Sequence, residues 1–328
     1  MSTQNNNFVA LCLRGTSQVF FQNNLLTGVL FFAAIFAASY ESGVWATSIG
    51  ALIGVVIATL TAYVLNVDDE SLNTGLFGFN GVLVGVALPT FLSATPSLWF
   101  YIIIGSAIST VVTAAFSSTI TKIWKIPGST GPFVLTAWLL VAGAYAFGDL
   151  NLISEKAVLP TDYTNGLIDI PSAYELVQIF FRNIGQVFLL GSTISGVLVL
   201  IGIFVASVPA GIAAVLGSII AMAVSIGLGA NAETISAGLF GFSPVLTAIA
   251  VGVVFLKTSM RVALYAGLAT IATVFVQAAM DSLMLPVGLP SFTAPYVLTM
   301  YLFIAPGRLA APHPHRPIHS DENLATTD

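Results

Sequence analysis

The stretch Gly75-Leu76-Phe77-Gly78-Phe79-Asn80-Gly81-Val82-Leu83-Val84-Gly85 decides the reading, because the chain states most of it twice. Gly238-Leu239-Phe240-Gly241-Phe242-Ser243-Pro244-Val245-Leu246 repeats it 163 residues later (238 − 75). The first five residues are unchanged, Asn80-Gly81 becomes Ser243-Pro244, and Val-Leu returns. A second block, Pro127-Gly128-Ser129-Thr130-Gly131-Pro132-Phe133, is echoed at the same offset by Pro290-Ser291-Phe292-Thr293-Ala294-Pro295-Tyr296, and Thr136 by Thr299. A third alignment sets residues 14–30 on 182–198 through Arg14 and Arg182, Gln-Val-Phe at 18–20 and 186–188, and Gly-Val-Leu at 28–30 and 196–198. Two copies of one unit face each other, and the function is expected between them.

Composition places those copies in a membrane. Of 328 residues 57% are hydrophobic and 7% charged, against about 25% charged in an ordinary soluble globule. The mean hydropathy is +0.97, and apolar runs of about 20 residues recur, which reads as many spanning helices. Residues 1–13 carry no secretory signal, so the first span is expected to act as its own insertion signal. The single Cys12 excludes an internal disulfide or a cysteine metal cluster, and nine scattered Lys and Arg argue against nucleic acid.

Hydropathy predicts spans at 17–38, 44–65, 75–91, 98–119 and 132–147, then at 178–206, 210–228, 238–255, 262–280 and 295–304. Five spans per half is odd, so the second half is expected upside down relative to the first: an all-α polytopic membrane protein of two inverted five-helix repeats with two re-entrant half-helices. The expected divisions are an N-terminal cytoplasmic tail (1–13), a first repeat (14–148), an external connector (149–175), a second repeat (176–307) and a C-terminal cytoplasmic tail (308–328). With the N-terminus inside, Arg14, Lys122, Lys125, Lys257, Arg261, Arg308 and Arg316 fall on the inner side. Only Lys156 and Arg182 fall outside, in keeping with the positive-inside rule. The acidic connector (Asp149, Glu155, Asp162, Asp169, Glu175) is then external.

The repeated residues suggest a narrow path. The Gly-rich blocks follow polar stretches at 66–73 and 229–236, the pattern of half-helices that stop partway, tolerated where protein or a cavity covers the backbone. Phe79 and Leu83 share a helix face, as do Phe242 and Leu246. Inversion sets the two Phe-Leu faces opposite each other as an apolar slit that admits a flat solute. Packing in the bundle core accounts for one such Phe; duplication of the pair favours the slit. Gln18 and Gln186 lie in apolar helices and are expected to face the interior, where an interhelical hydrogen bond of about 0.6 kcal/mol is the plainer role. Thr130 and Thr293 stand two residues before a proline, as helix N-caps do, and a capped end at the midplane also presents a hydroxyl there. None of the 14 acids falls mid-span and all three histidines (His313, His315, His319) lie in the tail. The path is therefore uncharged and suits a neutral polar solute moving down its gradient. The His-Pro tail reads as a Pro-rich cytoplasmic end without a role.

At these residues the chain resembles the urea transporter family. The carriers are the duplicated Leu-Phe-Gly-Phe blocks, the Gln-Val-Phe near each half's start, and the signature Leu289-Pro290-Ser291-Phe292-Thr293-Ala294-Pro295-Tyr296, where Tyr296 replaces Phe; Ile126 replaces Leu in the first copy. The resemblance covers residues 14–306. It implies a homotrimer with one pore per protomer in a cell membrane (bacterial inner or plasma membrane), both termini cytoplasmic, and uncoupled, channel-like passage of urea with no cofactor. Residue by residue it implies that Phe79, Leu83 and Val187 line one slot and that Phe242, Leu246 and Val19 line the other. It places Thr130 and Thr293 at the middle of the pore, and Gln18 and Gln186 at the polar position beside each slot. A channel for ammonia or another small neutral amide is the alternative, although an ammonia channel is expected to carry pore histidines. A coupled carrier is expected to bury an ionisable residue, and no enzymatic nucleophile–base pair or metal set is visible.

Overall fold

A computed structural model of the chain describes residues 7–153, 157–160 and 171–306. Among these the fold is helical, with one isolated bridge between Leu92 and Leu152. The first half contains α1 (Phe8–Gln18), α2 (Leu25–Ser42), α3 (Trp45–Val64), α4 (Asp69–Asn73), α5 (Phe79–Phe91), α6 (Pro96–Phe116), α7 (Lys122–Trp124) and α8 (Gly131–Ala144). The second contains α9 (Ala173–Gly185), α10 (Thr193–Ala206), α11 (Val208–Gly227), α12 (Ala232–Ser236), α13 (Phe242–Ile249), α14 (Met260–Met284) and α15 (Ala294–Ile304). Residues 1–6 of the expected N-terminal tail, the expected C-terminal tail with Arg308, Arg316 and the three histidines, and the connector residues Glu155, Lys156, Asp162 and Asp169 lie outside the described residues; residues 8–13, assigned to the tail from sequence, belong to α1.

The halves pair by a two-fold rotation, and two hydrogen bonds show it. Thr27 Oγ1 donates to the Gly202 carbonyl at 2.8 Å, and Ser195 Oγ donates to the Ala34 carbonyl at 2.7 Å. Thr27 and Ser195 are equivalent in the repeat, and so are Ala34 and Gly202. Seven residues forward along α2 is seven residues back along α10, so these apolar helices run antiparallel. One half therefore enters the bilayer in the opposite sense to the other.

Among the described residues, five helices are long and apolar enough to cross a membrane: α2, α3, Pro96–Trp124, α11 and Met260–Val287. A sixth is broken, Ala173–Phe188 and Thr193–Ala206 meeting at 73°. Two features qualify the ten hydropathy spans. The apolar runs 17–38 and 178–206 are interrupted. Phe21 (φ 62°) and Leu189 (φ 56°) take left-handed backbone that bulky residues rarely adopt. In the first break Ser17 Oγ bonds both the Arg14 and Gln22 carbonyls and receives the Asn24 N–H, while Asn24 caps α2 through the Thr27 N–H. In the second, Ser192 caps α10 through the Ser195 N–H. Hydropathy averaged over a span passes across these breaks, because Phe21 and Leu189, where the backbone turns, are themselves apolar and the polar residues beside them (Gln22, Asn23 and Asn24; Ser192) are few.

The second feature is length, which agrees with the two half-helices expected at the Gly-rich blocks and extends to α8 and α15. At 1.5 Å per residue, α5 (13 residues) and α8 (14 residues) reach only about 20 Å, short of a ~30 Å hydrocarbon core. α15 and Phe242–Val254 are similarly short. The polar stretches before α5 and α13 do not merely break helices. They fold into α4 and α12, capped by Asp68 and Asn231, and then turn sharply at Gly75 (φ 76°) and Gly238 (φ 80°). These glycines meet the α1 and α9 backbones at Gly15 and Asn183, where a Cβ has no room.

Close backbone contact holds the first short helix. Gly50 and Gly54 of α3 face Gly85 and Gly81 of α5 so tightly that a Cβ on any of the four would strike backbone or side-chain atoms of the facing helix. Small residues four apart on both helices are the membrane solution to packing without a hydrophobic drive.

Candidate functional site

Each element of the site is built twice. The helix breaks turn Gln18-Val19-Phe20 and Gln186-Val187-Phe188 into the protein: Val19, Phe20, Val187 and Phe188 are at most 1% exposed. Phe20 and Phe188, equivalent residues, lie 5.9 Å apart between ring centroids, with Phe31 within 5.4 Å of each. The Phe-Val segments of both halves thus meet at the two-fold.

Phe79 and Leu83 on α5, and Phe242 and Leu246 on α13, are all buried in one apolar cluster with Val19 and Val187. α5 packs against the turn Gln186–Phe188 of the other repeat. The residues assigned to a slot by resemblance are therefore gathered from both halves into one core.

Gln18 and Gln186 are half-buried, and each is anchored by its nitrogen. Gln18 Nε2 donates to the Thr74 carbonyl at 3.0 Å, and Gln186 Nε2 to the Ala237 carbonyl at 2.8 Å. A carbonyl accepts only, so the amide must face it with NH2, which keeps each Oε1 out of that bond and able to accept elsewhere. Arg14 and Arg182 brace the same corners, donating to the Asn73 and Ser236 carbonyls at 2.8 and 2.9 Å. These are the C-terminal carbonyls of α4 and α12, where a cation is favoured by the helix dipole. In the sequence both arginines register as topology charges and as an aligned pair of the repeat, and neither reading gives this contact.

Thr130 and Thr293 meet. Thr293 Oγ1 donates to Thr130 Oγ1 at 2.7 Å, and both residues are at most 2% exposed. They stand at the N-cap positions of α8 and α15, yet neither makes a side-chain capping bond. The hydroxyls thus bridge the two repeats and cap neither helix. Because α8 and α15 both begin here, their positive dipole ends converge on this point.

The residues that support the threonines carry little signal in the sequence. Asn80 ties α5 to the start of α8, Ser129 Oγ bonds Tyr296 Oη at 2.7 Å, and Trp138 Nε1 donates to the Pro290 carbonyl at 2.8 Å. Asn80 stands out in the chain only as the place where the two copies of the block diverge. Beside the Gln186 end a cavity of about 300 Å³ is lined by Pro171, Glu175, Ile179, Ile226, Glu233 and Ser236 among others. Among the described residues no group of three His, Cys, Asp or Glu side chains could hold a metal ion.

The family model of the urea transporter covers residues 9–308. The chain belongs to the urea transporter family. Among curated proteins it is similar to Urea transporter 1 of Capra hircus, Ovis aries and Rattus norvegicus, each 30% identical over 303 residues, 90% of this chain and 76% of the relative. As a family member with these helices, the chain is a multi-pass membrane protein and falls among transporters rather than enzymes.

Proposed function

We propose that the chain is a channel for urea, conducting it down its gradient without coupling to ions. The observation that carries the reading is the Thr130–Thr293 contact at the join of two inverted repeats, with the buried Phe-Leu-Val sets of both repeats gathered in one apolar core. In this reading Phe79, Leu83 and Val187 form one slot, and Phe242, Leu246 and Val19 form the other. A planar solute enters edge-on between apolar walls. Urea has four N–H donors, and stripping an amide of water without replacement costs about 2–7 kcal/mol. Gln18 Oε1, Gln186 Oε1, the threonine hydroxyls and nearby helix-end carbonyls replace that water along one edge.

Ions are rejected for two reasons. The slots offer no counter-charge to a desolvated ion, and the converging helix N-termini oppose a cation at the centre. The proposal further includes a homotrimer with one pore per protomer, cytoplasmic termini, and residence in a bacterial inner or plasma membrane.

Stopped-flow light scattering on purified protein in liposomes tests it. Rapid urea entry indifferent to sodium and pH gradients is expected. Entry selective for ammonia, faster entry of another small amide, or dependence on an ion gradient would withdraw the solute assignment.

A further inference from the structure

Asn80 is fully buried, and both its N–H donors and its carbonyl oxygen are bonded. Nδ2 donates to Thr113 Oγ1 at 3.0 Å and to the Ser129 carbonyl at 3.4 Å, while Oδ1 accepts the Phe133 N–H at 3.2 Å. Thr113 Oγ1 in turn donates to the Ser109 carbonyl at 2.7 Å, which orients it as an acceptor toward Asn80. The residues held, 129 and 133, bracket Thr130. Ser129 is in left-handed backbone (φ 46°), which a serine keeps only when held there. The Phe133 N–H is one of the first-turn donors of α8 that the helix itself leaves unpaired. One side chain, next in sequence to the slot residue Phe79, therefore fixes a strained turn and a helix start on either side of the central hydroxyl.

A purely structural role does not explain this choice of residue. The second repeat folds the same backbone with Ser243 at this position, and that hydroxyl is buried without a partner among the described residues. There the corresponding loop is held from α14 instead, Gln277 Nε2 donating to Ser291 Oγ at 2.8 Å.

We propose that Asn80 is a positioning residue of the pore centre, setting where the Thr130 hydroxyl stands relative to the Phe79–Leu83 slot and so how sharply urea is distinguished from its near relatives. The inference rests on the urea-channel reading and assigns the discrimination chiefly to the first repeat.

The test compares urea, thiourea and N-methylurea fluxes through the full chain in liposomes, normalised to folded protein. Asn80→Ser, which copies the second repeat, is expected to lower urea flux about tenfold, the scale of a buried group left unpaired, and to move the urea-to-thiourea flux ratio toward one. Thr113→Val removes only the acceptor and is expected to shift the ratio the same way by less, while Thr113→Ser restores it. Ser243→Ala, which has no side-chain bond to lose, is expected to leave the ratio unchanged. Unaltered ratios in both Asn80→Ser and Thr113→Val would overturn the inference while leaving the channel reading intact. An equal loss for all three solutes would reduce Asn80 to a folding residue and also overturn it. A wild type that passes no urea would withdraw the channel reading first, and this inference with it.

Discussion

The two repeats reach the same pore centre with different supports. In the first, α3 and α5 touch through Gly50, Gly54, Gly81 and Gly85; in the second, the matching contact is made by Gly217 against Val245 and Ala248, with Pro244 where Gly81 stood. In the first, Asn80 clamps the turn before α8; in the second, Gln277 of α14 holds the turn before α15. The ring pair Phe133–Phe292, 5.2 Å apart, has as its symmetry mate the hydrogen bond between Tyr296 and Ser129. By contrast the Gln-to-carbonyl bonds, the Arg braces and the Phe20–Phe188 meeting are the same in both. Groups proposed to face the solute are thus matched across the two-fold, whereas the scaffolding behind them has diverged. A solute crossing an inverted pore meets the same faces in either direction, and nothing in that requirement restrains the second layer.

The packing difference predicts the largest asymmetry. Gly85→Val drives a side chain into the Gly50 carbonyl and is expected to abolish the folded protein, read as loss of a monodisperse peak in detergent. Ala248→Val at the equivalent position is expected to cost about 1–3 kcal/mol, as ordinary overpacking does. Equal losses would mean that the glycine contact is not what sets α5.

The central hydrogen bond is shared, so its two halves should not behave as separate contributions. Thr130→Val and Thr293→Val are each expected to cut urea flux about tenfold. The double variant is expected to be no more than about twofold worse than either, because residues of one contact are not additive. Fully multiplicative losses would show that the hydroxyls act independently of each other.

Removing an asymmetric support should matter less. Tyr296→Phe makes the second repeat match the first at that ring and leaves Ser129 Oγ without its partner. A loss of about 1 kcal/mol is expected in thermal unfolding, partly recovered by adding Ser129→Ala. No recovery would place the tyrosine hydroxyl's value in its other contact, with Met300 Sδ at 3.0 Å.

The smallest effect is expected with pH. The polar groups proposed to face the solute are carboxamides, hydroxyls and carbonyls, none of which titrates between about pH 5 and 8. Urea flux is expected to change less than about twofold across that range, and a sigmoidal change would point to an ionisable group on the path.

Much of the fold and of the candidate site is legible in the order of residues. The duplicated blocks mark Phe79, Leu83, Phe242, Leu246, Thr130 and Thr293, and inversion follows from an odd span count, since identical copies joined that way must face opposite sides. What hydropathy conceals are the bends at Phe21 and Leu189, where apolar residues take a conformation that only surrounding contacts impose. It also conceals the fate of the threonines. A cap and a cross-repeat bond look alike in sequence, and only the meeting of α8 and α15 distinguishes them.

By itself, then, the sequence determined the solvent, the repeat and its inversion, and the residues stated twice, because these depend on composition and spacing along one chain. The tertiary structure alone decided that Gln18 and Gln186 are anchored through their nitrogens, that Thr130 bonds Thr293, and that Asn80 holds one side while Gln277 holds the other. Each of those choices depends on which acceptor or donor another part of the chain brings within about 3 Å, and sequence distance carries no such information.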